Sequence, residues 1–284
     1  MIRTSKQLKD KVRNLSGSDS TKAQTYIRNF IMERFLERMS LSAYRDRFIL
    51  KGGMLVASVV GLDTRATMDI DATVVNLSLS EENAVNIVRE IISVPLPDGV
   101  EFHIIKTAGI MEDLAYPGVR IVLEASLDRL RQTIKIDIST GDVITPPAIE
   151  YSYPLMLEDR SISIRTYNTE TILAEKLETI MQRGLANTRL RDFYDIYILQ
   201  QQTPVDPTVF AAAFQAVLAA RGTIKQFSGL PSVLDELETS PAMQNLWARY
   251  RANSFYVGDI SWHEVMASVK ILADAAAREL PGTN

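Results

Sequence analysis

A glycine pair ahead of an apolar helix, followed by two carboxylates at i and i+2, constrains this chain more than any other feature. From Phe48 to Val75 it reads FILKGGMLVASVVGLDTRATMDIDATVV, with Lys51-Gly52-Gly53 ahead of Asp69-Ile70-Asp71. Glycines at the start of a helix leave backbone N–H groups bare at its positive end, which suits a phosphate. On a β-branched run, Asp69 and Asp71 project from the same face of a strand. The combination predicts a triphosphate cradle at Lys51, Gly52 and Gly53 and a Mg²⁺ site at Asp69 and Asp71, the two requirements of nucleotidyl transfer. Each half has an ordinary explanation, a turn for the glycines and a solvated edge for the acids. Their order and spacing favour the chemical one.

The remaining composition works mainly by exclusion. With 284 residues, 46% hydrophobic and 23% charged, the chain can bury a large core in one domain or two. A net charge of -4 and a pI near 5.4 argue against a general nucleic-acid binder. The first fifteen residues differ, with Arg3, Lys6, Lys9, Lys11 and Arg13 against Asp10 alone. That run is either a solvated helix face or a contact for a phosphate backbone. There are no cysteines, which excludes thiolate metal sites, and His103 and His263 lie too far apart in sequence to suggest a zinc site. No apolar run approaches the roughly 20 residues of a membrane span, and no signal core follows the amino terminus. A cytoplasmic protein is expected.

Periodicity divides the chain. Helical patterns cover Ser5 to Leu15 and Thr21 to Met39, the second with Ser20 as N-cap and a single buried stripe through Ile27, Phe30, Ile31, Phe35 and Met39. A short helix from Met54 to Val60 and a strand from Asp69 to Leu77 follow, then a helix from Ser80 to Ile92. Strands are expected at Val100 to Thr107, Val119 to Leu127, Thr133 to Ile138 and Ser161 to Arg165, with Pro146, Pro147 and Pro154 as breaks. From about Tyr167 to the end the pattern is helical. The expected organisation is an α/β (α+β) part over residues 1–165 and an all-helical part over residues 166–284.

Three further residues carry candidate chemistry. Asp137, in the alternating run TIKIDIST, is the natural third acid if its strand lies beside that of Asp69; it would share a second metal and help deprotonate an attacking hydroxyl. Its ordinary alternative is a pairing with Lys135 or a nearby arginine. Lys176 lies inside the apolar stripe of Ile172, Leu173, Leu177 and Ile180, with no acid at i±3 or i±4. It either snorkels to solvent or meets an anion from elsewhere, such as a nucleotide phosphate. Asp192 and Asp195 open a later helix, within reach of Arg189 and Arg191 respectively, and Phe193, Tyr194 and Tyr197 read as core.

Four stretches, KGG…DIDATV, KIDIS, ETILAEKLETIM and RLRDFYDIYIL, in this order resemble the nucleotidyltransferase AbiEii/AbiGii toxin family, which includes the mycobacterial MenT toxins. The resemblance spans Phe48 to Leu199. It implies a DNA polymerase β-like nucleotidyltransferase domain with a mixed sheet, followed by a helical carboxy-terminal domain. It implies phosphate contacts at Gly52 and Gly53, metal carboxylates at Asp69 and Asp71, triphosphate binding by Lys176 and a functional acid at Asp192, with Asp195 more structural. Many relatives carry Gly-Ser at the phosphate turn, so the Gly52-Gly53 pair leaves only backbone donors. The family's activity implies a toxin of a type IV toxin–antitoxin or abortive-infection system. Such a toxin uses Mg²⁺ and a nucleoside triphosphate to modify the 3′ end of tRNA, and its partner is a winged-helix antitoxin.

Two other functions compete. A small-molecule nucleotidyltransferase resembling the aminoglycoside-modifying enzymes suits the acidic pI, but lacks a reason for the AEKL and RDFYD helices. A non-catalytic nucleotide-binding module would not need both carboxylates and Lys176.

Overall fold

The computed structural model of the chain describes residues 1–110 and 118–280. It forms two compact units, the first made of Met1–Asp142 and Ile149–Thr166, the second of Val143–Ala148 and the chain from Tyr167 onward. In the first unit the elements are α1 (Ser5–Ser16), α2 (Ser20–Leu41), β1 (Phe48–Lys51), α3 (Gly52–Val60), β2 (Asp69–Val74), α4 (Glu81–Ile92), β3 (Val100–Ile110), β4 (Gly118–Leu127), β5 (Leu130–Thr140), β6 (Ile149–Pro154) and β7 (Ser161–Thr166). The second unit holds α5 (Thr169–Arg183), α6 (Leu190–Gln202), α7 (Pro207–Arg221), α8 (Leu230–Thr239), α9 (Pro241–Ala252) and α10 (Trp262–Glu279). The helical expectation for residues 281–284 lies outside the described residues.

The sheet is mixed, in the order β3-β4-β5-β2-β1-β7-β6. Its centre is β2, antiparallel to β1 and parallel to β5, so that Lys51, Asp71 and Asp137 lie side by side on three adjacent strands. Two strands were not expected. β1 is only four residues, too short to show a period. β6 tolerates its terminal Pro154 because it lies at the sheet edge, where a missing N–H leaves no ladder bond unmade. Among the described residues no single helix is long and apolar enough to cross a membrane.

The N-cap of α2 is Asp19, not Ser20: its carboxylate accepts from the N–H groups of Thr21 and Lys22 at 2.8 and 3.0 Å. Nor is α2 buried on one stripe. Glu33, Arg34, Glu37 and Arg38 are buried with the apolar residues, and distant segments bring opposite charges to all of them but Glu33. Arg38 grips Asp98 with two bonds of 2.7 and 2.8 Å, and Arg160 grips Glu37 at 2.6 and 2.9 Å. A stripe-based reading misses such a helix because charged residues normally mark its wet side.

Glu33 has no cation of equal quality. It accepts from Asn29 Nδ2 at 2.8 Å and Met156 N–H at 3.0 Å, yet burial outweighs both and pushes its carboxyl up to about 8 from 4.5. The folded state thus keeps a proton that the unfolded chain releases, and raising the pH from about 4.5 to about 8 works against folding by about 1.4 kcal/mol per unit. Relative to the native chain, Glu33→Gln should gain stability through this window and level off above it. Melting curves of the two proteins that stay parallel from acid to alkaline pH would contradict this.

Candidate active site

The turn between β1 and α3 explains its glycines. Gly52 has φ +65°, in the left-handed region, and a Cβ there would come within 2.7 Å of the Asp71 Cβ and closer still to its carboxylate. A Cβ on Gly53 would lie 2.6 Å from Thr67 Oγ1 and 3.0 Å from an Arg65 guanidinium nitrogen. Both glycines are therefore demanded by close approach of the β2 side. The Gly53 N–H, bare in the sequence reading, donates to the Asp71 carboxylate.

Asp69, Asp71 and Asp137 form one anionic cluster. Burial first, then the charges of Asp69 and Asp137, push the Asp71 carboxyl up to about 6 from 3.8, against the pull of Lys51 and the Gly53 N–H. Thr67 Oγ1 donates to Asp69 Oδ1 at 3.2 Å. Lys51 instead reaches Asp142, at 2.6 Å. Burial would raise the Asp142 carboxyl, but Lys51, Ser139 and Thr73 outweigh it and hold it below the usual carboxylate range. Asp137 takes its alternative partner, an arginine: Arg120 Nε and Nη2 donate to its two oxygens at 2.7 and 2.6 Å. Among the described residues, no three acidic or histidine side chains converge as a ready-made metal cage. A Mg²⁺ ion does not need one, since it is usually held by one or two carboxylates together with substrate phosphates and water. The Asp69–Asp71 pair, with Asp71 charged against its surroundings, fits that requirement.

In the second unit, Lys176 on α5 finds its anions on α6. Its ammonium lies 2.8 Å from Asp192 and 2.7 Å from Asp195, so neither carboxylate is left to the helix-internal arginine expected for it. Burial would lower the Lys176 ammonium, but the two acids outweigh it and hold it above its ordinary value. Asp195 is fully buried. Phe193 and Tyr194 belong to the core as expected: Phe193 packs 5.0 Å from Trp262, and the Tyr194 hydroxyl donates to the Tyr256 carbonyl at 3.2 Å.

Arg120, Asp142 and Thr67 were not singled out in the sequence. For Arg120 a signal existed. Residues 127 and 130 pair across a two-residue turn at Asp128-Arg129, and counting back along that hairpin sets Arg120 opposite Asp137.

The fold is that of a nucleotidyltransferase. A candidate nucleotidyltransferase from H. pylori superposes with a TM-score of 0.54 at 14% identity, with 90% of this chain and 96% of that chain covered. JHP933 from Helicobacter pylori gives 0.53 at 15% identity, covering 90% and 93%. No curated protein matches the sequence. The sequence model of the family described as nucleotidyl transferase AbiEii toxin, type IV toxin–antitoxin system, matches residues 34–268. The chain belongs to this family of toxin nucleotidyltransferases, and the family brings with it a cognate antitoxin.

Proposed function

We propose that this toxin uses Mg²⁺ to transfer a nucleotide from a nucleoside triphosphate to the 3′ end of tRNA, as an agent of abortive infection against phage. The observation that carries the reading is the meeting of the Gly52-Gly53 turn with Asp69 and Asp71 in one cluster of like charges. Such a cluster opposes folding, and a bound cation offsets that cost.

Asp69 and Asp71 would hold the cation, which supplies charge neutralisation at the triphosphate and polarises its α-phosphorus. Lys51 and the two glycines lie at the same turn and are the candidates for phosphate contact. Lys176 is the candidate nucleotide-binding lysine and Asp192 the acid that orients it. The acceptor hydroxyl oxygen bonds to the α-phosphorus, and the bond to the bridging oxygen breaks to release pyrophosphate. The hydroxyl proton passes to the carboxylate cluster or to solvent. For an RNA acceptor, Arg3, Lys6, Lys9 and Arg13 are exposed along the amino-terminal arm and α1 and suit a phosphate backbone. A winged-helix antitoxin is the expected partner.

The test is transfer of label from each α-labelled nucleoside triphosphate to total tRNA, with Asp69→Ala/Asp71→Ala as control. Label on RNA in the native chain alone is the expected result. Label on a cationic small molecule and on no RNA would overturn the acceptor.

A further inference from the structure

We propose that the Arg120 guanidinium stands at Asp137 in place of a second metal ion, so that this chain works with one divalent cation, held by Asp69 and Asp71. The inference rests on the reading of Asp69 and Asp71 as cation ligands.

Two-metal transfer sets the ions about 3.5–4 Å apart, so a second ion needs a carboxylate next to the Asp69–Asp71 pair. By register Asp137 is the residue for it, directly beside Asp71 on the parallel β2–β5 ladder. Both of its oxygens are already engaged. Arg120 sits opposite on β4 and holds them in a fork of two charge-assisted bonds, at 2.7 and 2.6 Å. The guanidinium cannot be deprotonated, so it remains a fixed positive charge whatever occupies the site. Its charge acts on Asp69 and Asp71 as well as on Asp137, so it serves the whole cluster and not one partner alone. A second cation would have to break both bonds and share a small space with that charge. Asp69 accepts from the Thr67 hydroxyl and Asp71 from the Gly53 N–H, both neutral donors, while Arg28 and Lys51 act on them as charges without the two-bond fork that Arg120 makes to Asp137. Arg120 is therefore a positioning residue, fixing the Asp137 carboxylate and closing one ion position while leaving the other open.

Other features carry less. The cavity beside α10, lined by Phe227, Leu234 and Ala273 together with Asp235, Lys270 and Asp274, has nothing to name its occupant, and Glu37 and Arg38 of α2 are paired within the first unit.

The experiment is a titration of the full chain with Mn²⁺ in the absence of nucleotide, reading free ion by its paramagnetic resonance signal. The native chain should bind one ion, and Asp69→Asn/Asp71→Asn none. Asp137→Asn should still bind one, with affinity within about three-fold of native, a change of under ~1 kcal/mol. Arg120→Gln should bind two, and Arg120→Gln/Asp137→Asn should return to one. Two ions in the native chain, one of them lost in Asp137→Asn, would overturn the inference while leaving Asp69 and Asp71 as ligands. One ion in Arg120→Gln would overturn it also. No binding to the native chain would instead remove the cation reading itself. Asp137→Asn leaves Arg120 in place, so the inference stays testable even if Arg120→Gln fails to fold.

Discussion

Lys176→Ala should lose roughly 3–5 kcal/mol of folding stability, the penalty expected when one partner of a buried ion pair is removed. The size follows from what is left behind. Asp195 is fully buried and Asp192 partly so, and both have their charge answered by the same ammonium. Denaturant unfolding of the native and variant chains gives the number directly. Loss of transfer in this variant alone would not establish a nucleotide-binding lysine, because an unfolded protein is also inactive. Lys176→Ala/Asp195→Asn separates the two effects. It should recover most of the lost stability, since the buried charge has gone, and still fail to transfer. If stability and transfer return together, Lys176 has a structural role only.

The opposite sign is expected in the first unit. Asp69→Asn/Asp71→Asn should lower transfer on the order of 1,000-fold or more, since several kcal/mol of charge stabilisation is removed at about 1.4 kcal/mol per factor of ten. The same variant should melt higher than the native chain in the presence of a chelator. Burial and two neighbouring carboxylates push Asp71 up to about 6, so at neutral pH the folded state carries a charge it disfavours, and the unfolded chain does not. The penalty is fully present above about 6, shrinks as the carboxyl protonates, and is gone below the ordinary value of 3.8. The variant's advantage should therefore be a few degrees near neutrality and vanish in acid. A variant that melts lower than native at both pH values would show that the cluster supports the fold.

These two sites were legible to different depths. The glycine turn and the D-x-D could be read because both are local: a strained φ at Gly52 and a period of two at Asp69 and Asp71 leave marks within a few residues. The fold class and family followed from them and from the blocks around Lys176 and Asp192. Lys176 stood out as a charge unanswered on its own helix, but its partners come from α6, and the sequence offered Arg189 and Arg191 as nearer mates for them. Tertiary pairing overrode the helical spacing. The neighbour relation of β2 and β5 was beyond reach for a similar reason. The strands are parallel, with α4, β3 and β4 between them in the chain, and no local spacing records such a crossover. Arg120 was recoverable only through the hairpin turn, where Asp128 at φ +51° gives none of the usual glycine signal.

The most direct measurement follows the two ends of the triphosphate. The same nucleoside triphosphate is supplied once with its α-phosphate labelled and once with its γ-phosphate labelled, with tRNA and Mg²⁺. Nucleotidyl transfer at the Asp69–Asp71 cluster predicts α-label on the RNA and γ-label released in pyrophosphate, both lost in Asp69→Ala/Asp71→Ala. Appearance of the γ-label on the acceptor would mean phosphoryl transfer, and undiminished transfer in the variant would place the chemistry elsewhere; either would contradict the account.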